Sequence, residues 1–169
     1  MMTPDLYWIP GPWTGRLAVV SRPRGWDWLE DEASGWHTAG LDVIVSLLEE
    51  EEAAQLGLAY EGAAASAIGI RYLSFPIPDR DVPSSMSAAL LLVKEILTEL
   101  ESGRNVAVHC RQSIGRSGLI AASLLATSGI ELEHAIQAVS TARGLTIPET
   151  PEQLRWLHRL PIKNMVTTS

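Results

Sequence analysis

The sequence predicts an α/β fold: a single domain with a mostly parallel central sheet of about four to five strands, flanked by helices. Four short apolar segments, at residues 17–20, 42–46, 70–74 and 105–109, have the length and composition of buried strands. Longer stretches with helical periodicity separate them, and this alternation favours parallel strands connected by helices. The 169 residues are enough for one sizeable core, so we expect one domain over residues 1–169.

The predicted helices follow in chain order. The four glutamates at residues 49–52 are most simply the solvated first turn of a helix, where the helix dipole favours negative charge. Residues 84–100 repeat apolar side chains at helical spacing, so an amphipathic helix should pack on the sheet there. Residues 119–126 are typical of a buried helix, and residues 131–142 and 151–160 complete a helical C-terminal half.

Composition and charge exclude several kinds of function. The formal net charge of -7 argues against nucleic acid or an anionic membrane as a partner, since both are bound through basic patches.

The sequence has one unpaired cysteine, no signal peptide and no apolar span of about 20 residues, so we expect a cytoplasmic protein. We expect a monomer that is ordered except at residues 1–12 and 163–169, which should be frayed.

The most informative segment, HCRQSIGRSG at residues 109–118, joins a predicted strand to a predicted helix. In such a turn, successive backbone N–H groups converge on an anion, and the helix N-terminus adds to the attraction. The same field favours an ionised sulfur, so Cys110 should be a thiolate at neutral pH. Arg116 supplies a permanently charged fork suited to two phosphate oxygens, and Ser117 places a hydroxyl close to the sulfur. Taken singly, a cysteine is most often an inert core residue and an arginine a surface charge, so the spacing carries the argument.

This segment resembles the signature of the cysteine-based protein tyrosine phosphatase superfamily, which is His-Cys, five residues, Arg, and then Ser or Thr. The resemblance implies that Cys110 takes the phosphoryl group, that Arg116 stabilises it in the transition state, and that Ser117 assists release of the thiolate. His109 would orient the loop from behind without transferring a proton. The residues that would surround the phosphate are Arg111, Gln112, Ser113, Ile114, Gly115 and Arg116. Many relatives have alanine or glycine where this chain has Ser113, and we expect serine to be tolerated because it is small.

A phosphatase of this kind requires a second group that protonates the leaving oxygen, because expelling an anion adds several kcal/mol to the barrier. Residues 75–83 contain three prolines that forbid a regular strand or helix, and they form a stiff loop with two carboxylates. This loop resembles the general-acid loop of the dual-specificity branch, which indicates Asp79 as the acid and keeps Asp81 in reserve. The alternative is that these carboxylates cap the helix that opens near Ser84, which better explains Asp81.

Residues 143–153 resemble the C-terminal turn that presents a glutamine to the hydrolytic water in these enzymes, so Gln153 is the candidate for that role. The same segment fits a helix start, with Thr150 as the N-cap, Pro151 at the first helical position and Gln153 at the third. Both roles can hold at once, because a capping glutamine can also orient a water.

The predicted chemistry requires no cofactor and no metal. Four histidines are scattered along the chain without the spacing of a metal site: His37, His109, His134 and His158. The chain is short, without an added loop to deepen the pocket, so it resembles a dual-specificity phosphatase that acts on phosphotyrosine and phosphoserine or phosphothreonine of proteins. Arg111 is a weak indication of phosphoinositides or other small phosphomonoesters. Arg22 and Arg24 could approach the phosphate, although exposed arginines are ordinary on a protein surface.

Two other classes of protein would use a similar cysteine turn. A pseudophosphatase would bind phosphate without turnover, but the presence of Cys110, Arg116 and Asp79 together counts against it. An arsenate reductase would usually need a second cysteine, and a sulfurtransferase would have less need of Asp79 and Gln153. Hydrolysis through a cysteinyl-phosphate intermediate is therefore the function that the sequence favours.

Overall fold

The α/β fold predicted from the sequence is confirmed by a computed structural model, which describes residues 4–162. Its sheet has five strands in the spatial order β1-β2-β5-β3-β4. In chain order the strands are β1 (Leu6–Ile9), β2 (Leu17–Val20), β3 (Val43–Ser46), β4 (Arg71–Ser74) and β5 (Val106–His109). Neighbouring strands are parallel except for β1, which is antiparallel to β2. The strand that precedes the cysteine, β5, therefore lies in the middle of the sheet.

Helices account for most of the rest of the described residues. They are α1 (Leu29–Thr38), α2 (Glu50–Gln55), α3 (Glu61–Ala67), α4 (Met86–Glu101), α5 (Gly115–Thr127), α6 (Leu132–Arg143) and α7 (Pro151–His158), with a 3₁₀ turn at Trp26–Trp28 before α1. The helices predicted from the sequence are all present. The largest difference is the start of α5, at Gly115 rather than at 119, because its first four residues, Gly-Arg-Ser-Gly, include no apolar side chain to extend the pattern.

Apolar cores cover both faces of the sheet. In β2, Leu17 and Val19 belong to a large core that α4, α5, α6 and α7 cover, whereas Ala18 and Val20 belong to a smaller core beneath α1 and α3. Strands that are buried on both faces require continuous apolar runs. This explains why every residue of β2, β3 and β5 is buried and why their sequences do not alternate.

The first strand corrects one prediction, since the sequence was expected to be frayed over residues 1–12 and residues 6–9 instead form β1. This strand pairs with β2 along its whole length. Two of its aromatic rings are covered by guanidinium groups, with Arg16 3.9 Å from the centroid of Trp8 and Arg143 4.2 Å from the centroid of Tyr7. Such cation–π contacts and the edge pairing stabilise a segment that composition alone marks as a terminus. Residues 1–3 and 163–169 lie outside the described residues.

Within residues 4–162, no helix has both the length and the hydrophobicity that crossing a bilayer requires.

Candidate active site

The loops that follow β3, β4 and β5 meet at one edge of the sheet. Ser46, the last residue of β3, is paired with His109 on one side and with Ser74 on the other, so these three parallel strands end level with one another. The cysteine loop, residues 110–116, leaves the end of β5 in the middle of this edge. Open α/β sheets bind their ligands at the carboxyl ends of the strands. The topology therefore brings the loops after β3 and β4 next to Cys110.

Side chains outside the cysteine loop hold four consecutive carbonyl groups of this loop. His109 Nδ1 lies 3.3 Å from the Cys110 carbonyl, and Arg22 Nε donates to the Arg111 carbonyl at 2.9 Å. Arg143 donates to the next two carbonyls, those of Gln112 and Ser113, at 3.4 and 2.9 Å. In a trans peptide the N–H points away from the C=O. With the carbonyls held on the outside, the following N–H groups face the inside of the turn, where they can bind an anion.

Ser113 contributes more to this turn than its small size suggests. Its φ of 56° places it in the left-handed region, where a residue other than glycine is uncommon. The Ser113 hydroxyl donates to the Val20 carbonyl at 2.6 Å, which ties the loop to the end of β2. The conformation bends the chain so that successive N–H groups can point to one centre, as in other anion-binding turns.

The N-terminus of α5 completes the anion-binding side of the loop. Its first turn carries no acidic residue, and its N-cap residue, Ile114, has a side chain that makes no hydrogen bond to its N–H groups. These groups and the helix dipole favour a bound anion at this point. Ser117 lies in the same turn, and its hydroxyl is buried with no hydrogen-bond partner among residues 4–162. Buried polar atoms without a partner are rare, so this hydroxyl is available to a group in the loop.

A buried network fixes the guanidinium of Arg116, whose side chain is 1% exposed. Its two terminal nitrogens donate to both carboxylate oxygens of Glu52, at 2.6 and 3.0 Å. It also donates to the Ile77 carbonyl at 2.8 Å and to Asp79 Oδ1 at 3.0 Å. This bidentate geometry uses the planar fork that only arginine has. The orientation of Arg116 is therefore set before any substrate arrives.

The opposite charges of Arg116 and Glu52 stabilise each other. Burial would lower the pKa of Arg116, but its hydrogen bond to Glu52 and the charge of Cys110 raise that pKa above its ordinary value. Burial would likewise raise the pKa of Glu52, but hydrogen bonds from Arg116 and from the Glu49 backbone N–H lower it below its ordinary value. Both groups are therefore held in their charged forms.

Glu52 corrects a second prediction. The sequence assigns residues 49–52 to the solvated first turn of a helix, and α2 does begin at Glu50. Glu52, however, turns toward the site and binds Arg116 across 64 positions of sequence. Its spacing within the acidic run carries no sign of this partner, because the contact depends on how β3 and β5 are paired.

Replacing Glu52 by glutamine should lower the free energy of unfolding by about 2 kcal/mol, because it removes the charge that faces a buried guanidinium. Glutamine also satisfies the capping box at this helix position, so the start of α2 should be kept. Since the folded pKa of Glu52 lies below its ordinary value, the ion pair stabilises the fold above that value and weakens as pH falls through the lowered pKa. The variant should lack this loss of stability in acid.

Urea unfolding between about pH 7 and about pH 3 would measure both effects. Glu51→Gln is the matched control, because Glu51 lies in the same helical turn and is exposed. Equal free energies of unfolding for the two variants at neutral pH would contradict a stabilising role for Glu52.

Asp79 and Asp81 occupy different environments, although only one residue separates them. Asp79 lines a cavity of about 70 Å³ together with Cys110 and Arg116, and its side chain is 54% exposed. Asp81 is exposed and accepts a hydrogen bond from the neighbouring Val82 N–H at 2.7 Å. The expectation that Asp81 caps the next helix is wrong, because Ser85 caps α4 by accepting from the Ala88 N–H.

Gln153 lies against the cysteine loop and has no exposed surface. A Cβ atom added at Gly115 would lie 3.0 Å from both ends of the Gln153 amide, so glycine permits this close approach. The capping box predicted for Thr150 and Gln153 is confirmed. The side-chain oxygen of Gln153 also accepts from the Glu149 N–H, and its side-chain nitrogen donates to the Asp81 carbonyl at 3.1 Å. Gln153 therefore links α7 to the loop that carries both aspartates.

His109 lies beneath the cysteine loop and is fully buried. Its Nε2 forms a short hydrogen bond with the carboxylate of Glu61, which begins α3 and is also fully buried. The sequence did not single out Glu61, because this contact joins positions 48 residues apart. The same holds for Arg143, whose contacts with the loop reach across 30 residues.

A family model places this fold and its cysteine loop among phosphatases of the dual-specificity type. This model, described as "Tc-R-P: Polymorphic toxin system, DSP-PTPase phosphatase", matches residues 18–130, which include the cysteine loop. The chain belongs to this family of DSP-PTPase phosphatases.

Comparisons with single proteins agree with the family. The chain is 34% identical over 94 residues to protein 197R of Invertebrate iridescent virus 6, which carries the name of a candidate tyrosine phosphatase. That match covers 53% of this chain and 34% of the viral protein, so the chain spans about a third of this relative.

Solved structures extend the likeness over the full chain. The crystal structure of Tk-PTP in its active form is 28% identical, with a TM-score of 0.74 over 99% of this chain and 100% of the other. A crystal structure of kinase-associated phosphatase, with serine in place of its catalytic cysteine, gives a TM-score of 0.87. It covers 100% of this chain and 99% of the other at 20% identity, and at that identity it shows the fold alone.

Proposed function

We propose that this chain hydrolyses phosphomonoesters through a cysteinyl-phosphate intermediate. The observation that carries this proposal is that Cys110, Arg116 and Asp79 line one cavity of about 70 Å³. A nucleophile, a fork for phosphate oxygens and a carboxyl group for the leaving oxygen are the groups that such a reaction requires. The buried position of Arg116 and the hydrogen bonds that hold the loop carbonyls support the proposal, because preorganised donors stabilise a transition state most effectively.

In the first step, the Cys110 thiolate attacks phosphorus in line with the leaving group. The S–P bond forms as the bond between phosphorus and the ester oxygen breaks, and Asp79 gives its proton to that oxygen. The inward-facing N–H groups of residues 111–116 and the Arg116 guanidinium bind the three other oxygens of the phosphoryl group. His109 positions the loop from below and takes no part in the proton transfers.

In the second step, a water molecule attacks the cysteinyl-phosphate. Asp79, now a carboxylate, takes one proton from the water as the new P–O bond forms and the S–P bond breaks. Ser117 donates a hydrogen bond to the thiolate that departs, and its unpartnered hydroxyl supports this role. Gln153 would orient the water from its place beside Gly115, although both ends of its amide already have backbone partners.

The substrates that we propose are phosphotyrosine and phosphoserine or phosphothreonine residues of proteins. The cavity is small, and its lining residues lie on the loops after β4, β5 and α6 and in the first turn of α5. It would admit a phosphate at the end of a short side chain as well as a long one. Smaller phosphomonoesters, including phosphoinositide headgroups, are the alternative substrates.

A free thiolate nucleophile also favours a reducing compartment such as the cytoplasm.

Replacing Asp79 by alanine tests the assignment of the general acid. The variant should lose about 10²-fold to 10³-fold in kcat on alkyl phosphates, which need a proton on the leaving oxygen, and much less on para-nitrophenyl phosphate. The decline of kcat on the alkaline side of the pH profile should disappear, because that decline reports deprotonation of the acid. Steady-state kinetics from about pH 5 to about pH 9 with both substrates measures this.

Asp81→Ala is the matched control for this experiment, since Asp81 lies on the same loop but outside the cavity. It should keep the profile of the native chain, and an altered profile in this variant alone would move the acid to Asp81. No release of para-nitrophenol by the native chain, with phosphopeptide binding retained, would favour a pseudophosphatase. Transfer of sulfur from thiosulfate to cyanide would favour a sulfurtransferase.

A further inference from the structure

We propose that a cavity between α1 and α3, here called the α1–α3 cavity, binds a small organic cation with an aromatic or other apolar body. Its volume is about 1050 Å³, whereas the cavity that holds Cys110 measures about 70 Å³. The two cavities share no lining residue. A ligand can therefore occupy the α1–α3 cavity whether or not the chain hydrolyses phosphomonoesters.

The walls of the α1–α3 cavity are mostly small and apolar. Leu29 and Ala33 line it from α1, and Ala63, Ala64 and Ala67 line it from α3. Alanine on two neighbouring helices leaves space that larger side chains would fill. Sites for small molecules are typically apolar cavities of roughly 300–1,000 Å³ that carry a few polar groups. The α1–α3 cavity has the composition of such a site and lies at the upper end of this size.

Trp26 lies at the α1–α3 cavity and is held in place by its neighbours. Its N–H donates to the Gly57 carbonyl at 2.9 Å. The indole ring lies so close to Gly57 that a Cβ atom added there would be 2.6 Å from it. The φ of Trp26 is 56°, a conformation that a bulky residue adopts only where the surrounding structure determines it. The ring is therefore an exposed aromatic surface that is already oriented before a ligand arrives.

The aromatic rings of the α1–α3 cavity lack the cations that cover other rings of this chain. Guanidinium groups lie over Tyr7, Trp8 and Trp28, at 3.9 to 4.2 Å from the ring centroids. Trp26 and Tyr60 are 72% and 76% exposed, and no cation of residues 4–162 lies over either ring. The face of an aromatic ring attracts a cation. These two rings are therefore available to a cation that a ligand supplies.

The charges at the α1–α3 cavity also favour a cation. Asp27 and Glu30 line it, and none of the described residues that line it is basic. Neither carboxylate belongs to an ion pair in the described part of the chain, whereas Glu32 of the same helix pairs with Arg24 at 2.6 Å. Unpaired carboxylates attract a positive charge and repel an anion. Together with the two open rings, they match an ammonium or guanidinium compound.

Titration of the indole N–H signals by NMR tests this site. The first probe is a phenol with a trimethylammonium group in the meta position, and the second is meta-tert-butylphenol, which has the same shape without the charge. The cation should shift the indole signal of Trp26 and should bind about tenfold more tightly than the neutral phenol. Trp26→Phe identifies this signal, because phenylalanine keeps a ring and has no indole N–H.

Variants of the lining residues separate the two contributions to binding. Tyr60→Leu should weaken binding of the cation by about fivefold, because it removes one aromatic face. Asp27→Asn combined with Glu30→Gln should bring the affinities for the two probes close to each other. Trp28→Leu and Asp31→Asn are the matched controls, since neither residue lines the cavity, and both should keep the native affinities. All five positions are exposed, so these variants should fold.

Three results would overturn the proposal. The first is equal affinity of the native chain for the two probes, which would make the cavity a site for neutral apolar ligands. The second is an unshifted Trp26 signal in the presence of the cation. The third is a shift of this signal with protein concentration alone, which would make a second copy of the chain the occupant.

A titration with vanadate present shows which cavity the cation occupies. Vanadate should leave the dissociation constant of the cation unchanged, because the α1–α3 cavity and the Cys110 cavity share no lining residue. Weaker binding of the cation with vanadate present would place it beside Cys110 and would contradict the separate site.

Discussion

Replacing Cys110 by serine should abolish turnover while phosphate binding is retained. The serine oxygen remains protonated at neutral pH and is a poor nucleophile, so kcat should fall by about four orders of magnitude or more, as for other lost nucleophiles. The loop N–H groups and Arg116 are unchanged in this variant, so the affinity for a phosphopeptide should stay within about tenfold of the native value. Stopped assays for kcat and calorimetry for the dissociation constant measure the two effects.

Because the chain has a single cysteine, the reactivity of Cys110 can be measured independently of turnover. Alkylation by iodoacetamide should modify one group per chain, and inorganic phosphate or vanadate should slow it, because both anions occupy the loop. A Cys110→Ser variant that keeps kcat within about tenfold would contradict the covalent mechanism. Alkylation at the rate of an ordinary thiol, without protection by either anion, would contradict the anion-binding loop itself.

Replacing Arg116 by lysine should be nearly as damaging, although the positive charge is kept. Arg116 donates to Glu52 with two nitrogens and to Asp79 and Ile77 in addition, and a single ammonium group cannot reproduce this set of contacts. The phosphoryl group would then lose its bidentate partner in the transition state. We expect kcat to fall by about 10³-fold, the upper range for removing a preorganised donor.

Kinetics on para-nitrophenyl phosphate, together with urea unfolding, would separate catalysis from stability in this variant. Arg104→Lys is the matched control, because Arg104 is exposed and lies far from the loop along β5. A kcat within about tenfold of the native value for Arg116→Lys would show that charge alone suffices and that the fork is unnecessary. Restoration of activity by added guanidinium ions would favour the expected role.

Three strands of the sheet, β2, β3 and β5, could be predicted from the sequence because they are buried on both faces and therefore appear as continuous apolar runs. The edge strand β1 could not, since three of its four residues are only partly buried and its stability comes from pairing with β2 and from Arg16 and Arg143. Edge strands of this kind have little local signal. The start of α5 was missed for a related reason, because its first turn serves the loop and not the core.

In the candidate site, the residues that lie close together in sequence could be predicted, whereas the contacts between residues far apart in sequence could not. Cys110, Arg116 and Ser117 lie within one short segment between a predicted strand and a predicted helix, so the local sequence predicts a turn that binds an anion. Asp79 was indicated by the resemblance of its proline-rich loop to the general-acid loop of the dual-specificity branch. The groups that hold this turn in shape, Glu52, Glu61 and Arg143, belong to contacts between residues 30 to 64 positions apart. Their partners are decided by strand order, which a single sequence does not display.

The contact between Tyr7 and Arg143 affects how far the chain can be shortened from its N-terminal end. Arg143 stacks on the ring of Tyr7 in β1 and also donates to two carbonyl groups of the cysteine loop. One side chain therefore contacts both the edge strand of the sheet and the loop that carries Cys110. The segment that matches the family model, residues 18–130, excludes both of these residues and also Gln153. We therefore expect an active fragment to be longer than residues 18–130, because a fragment limited to that range would keep Cys110 but lack Tyr7, Arg143 and Gln153.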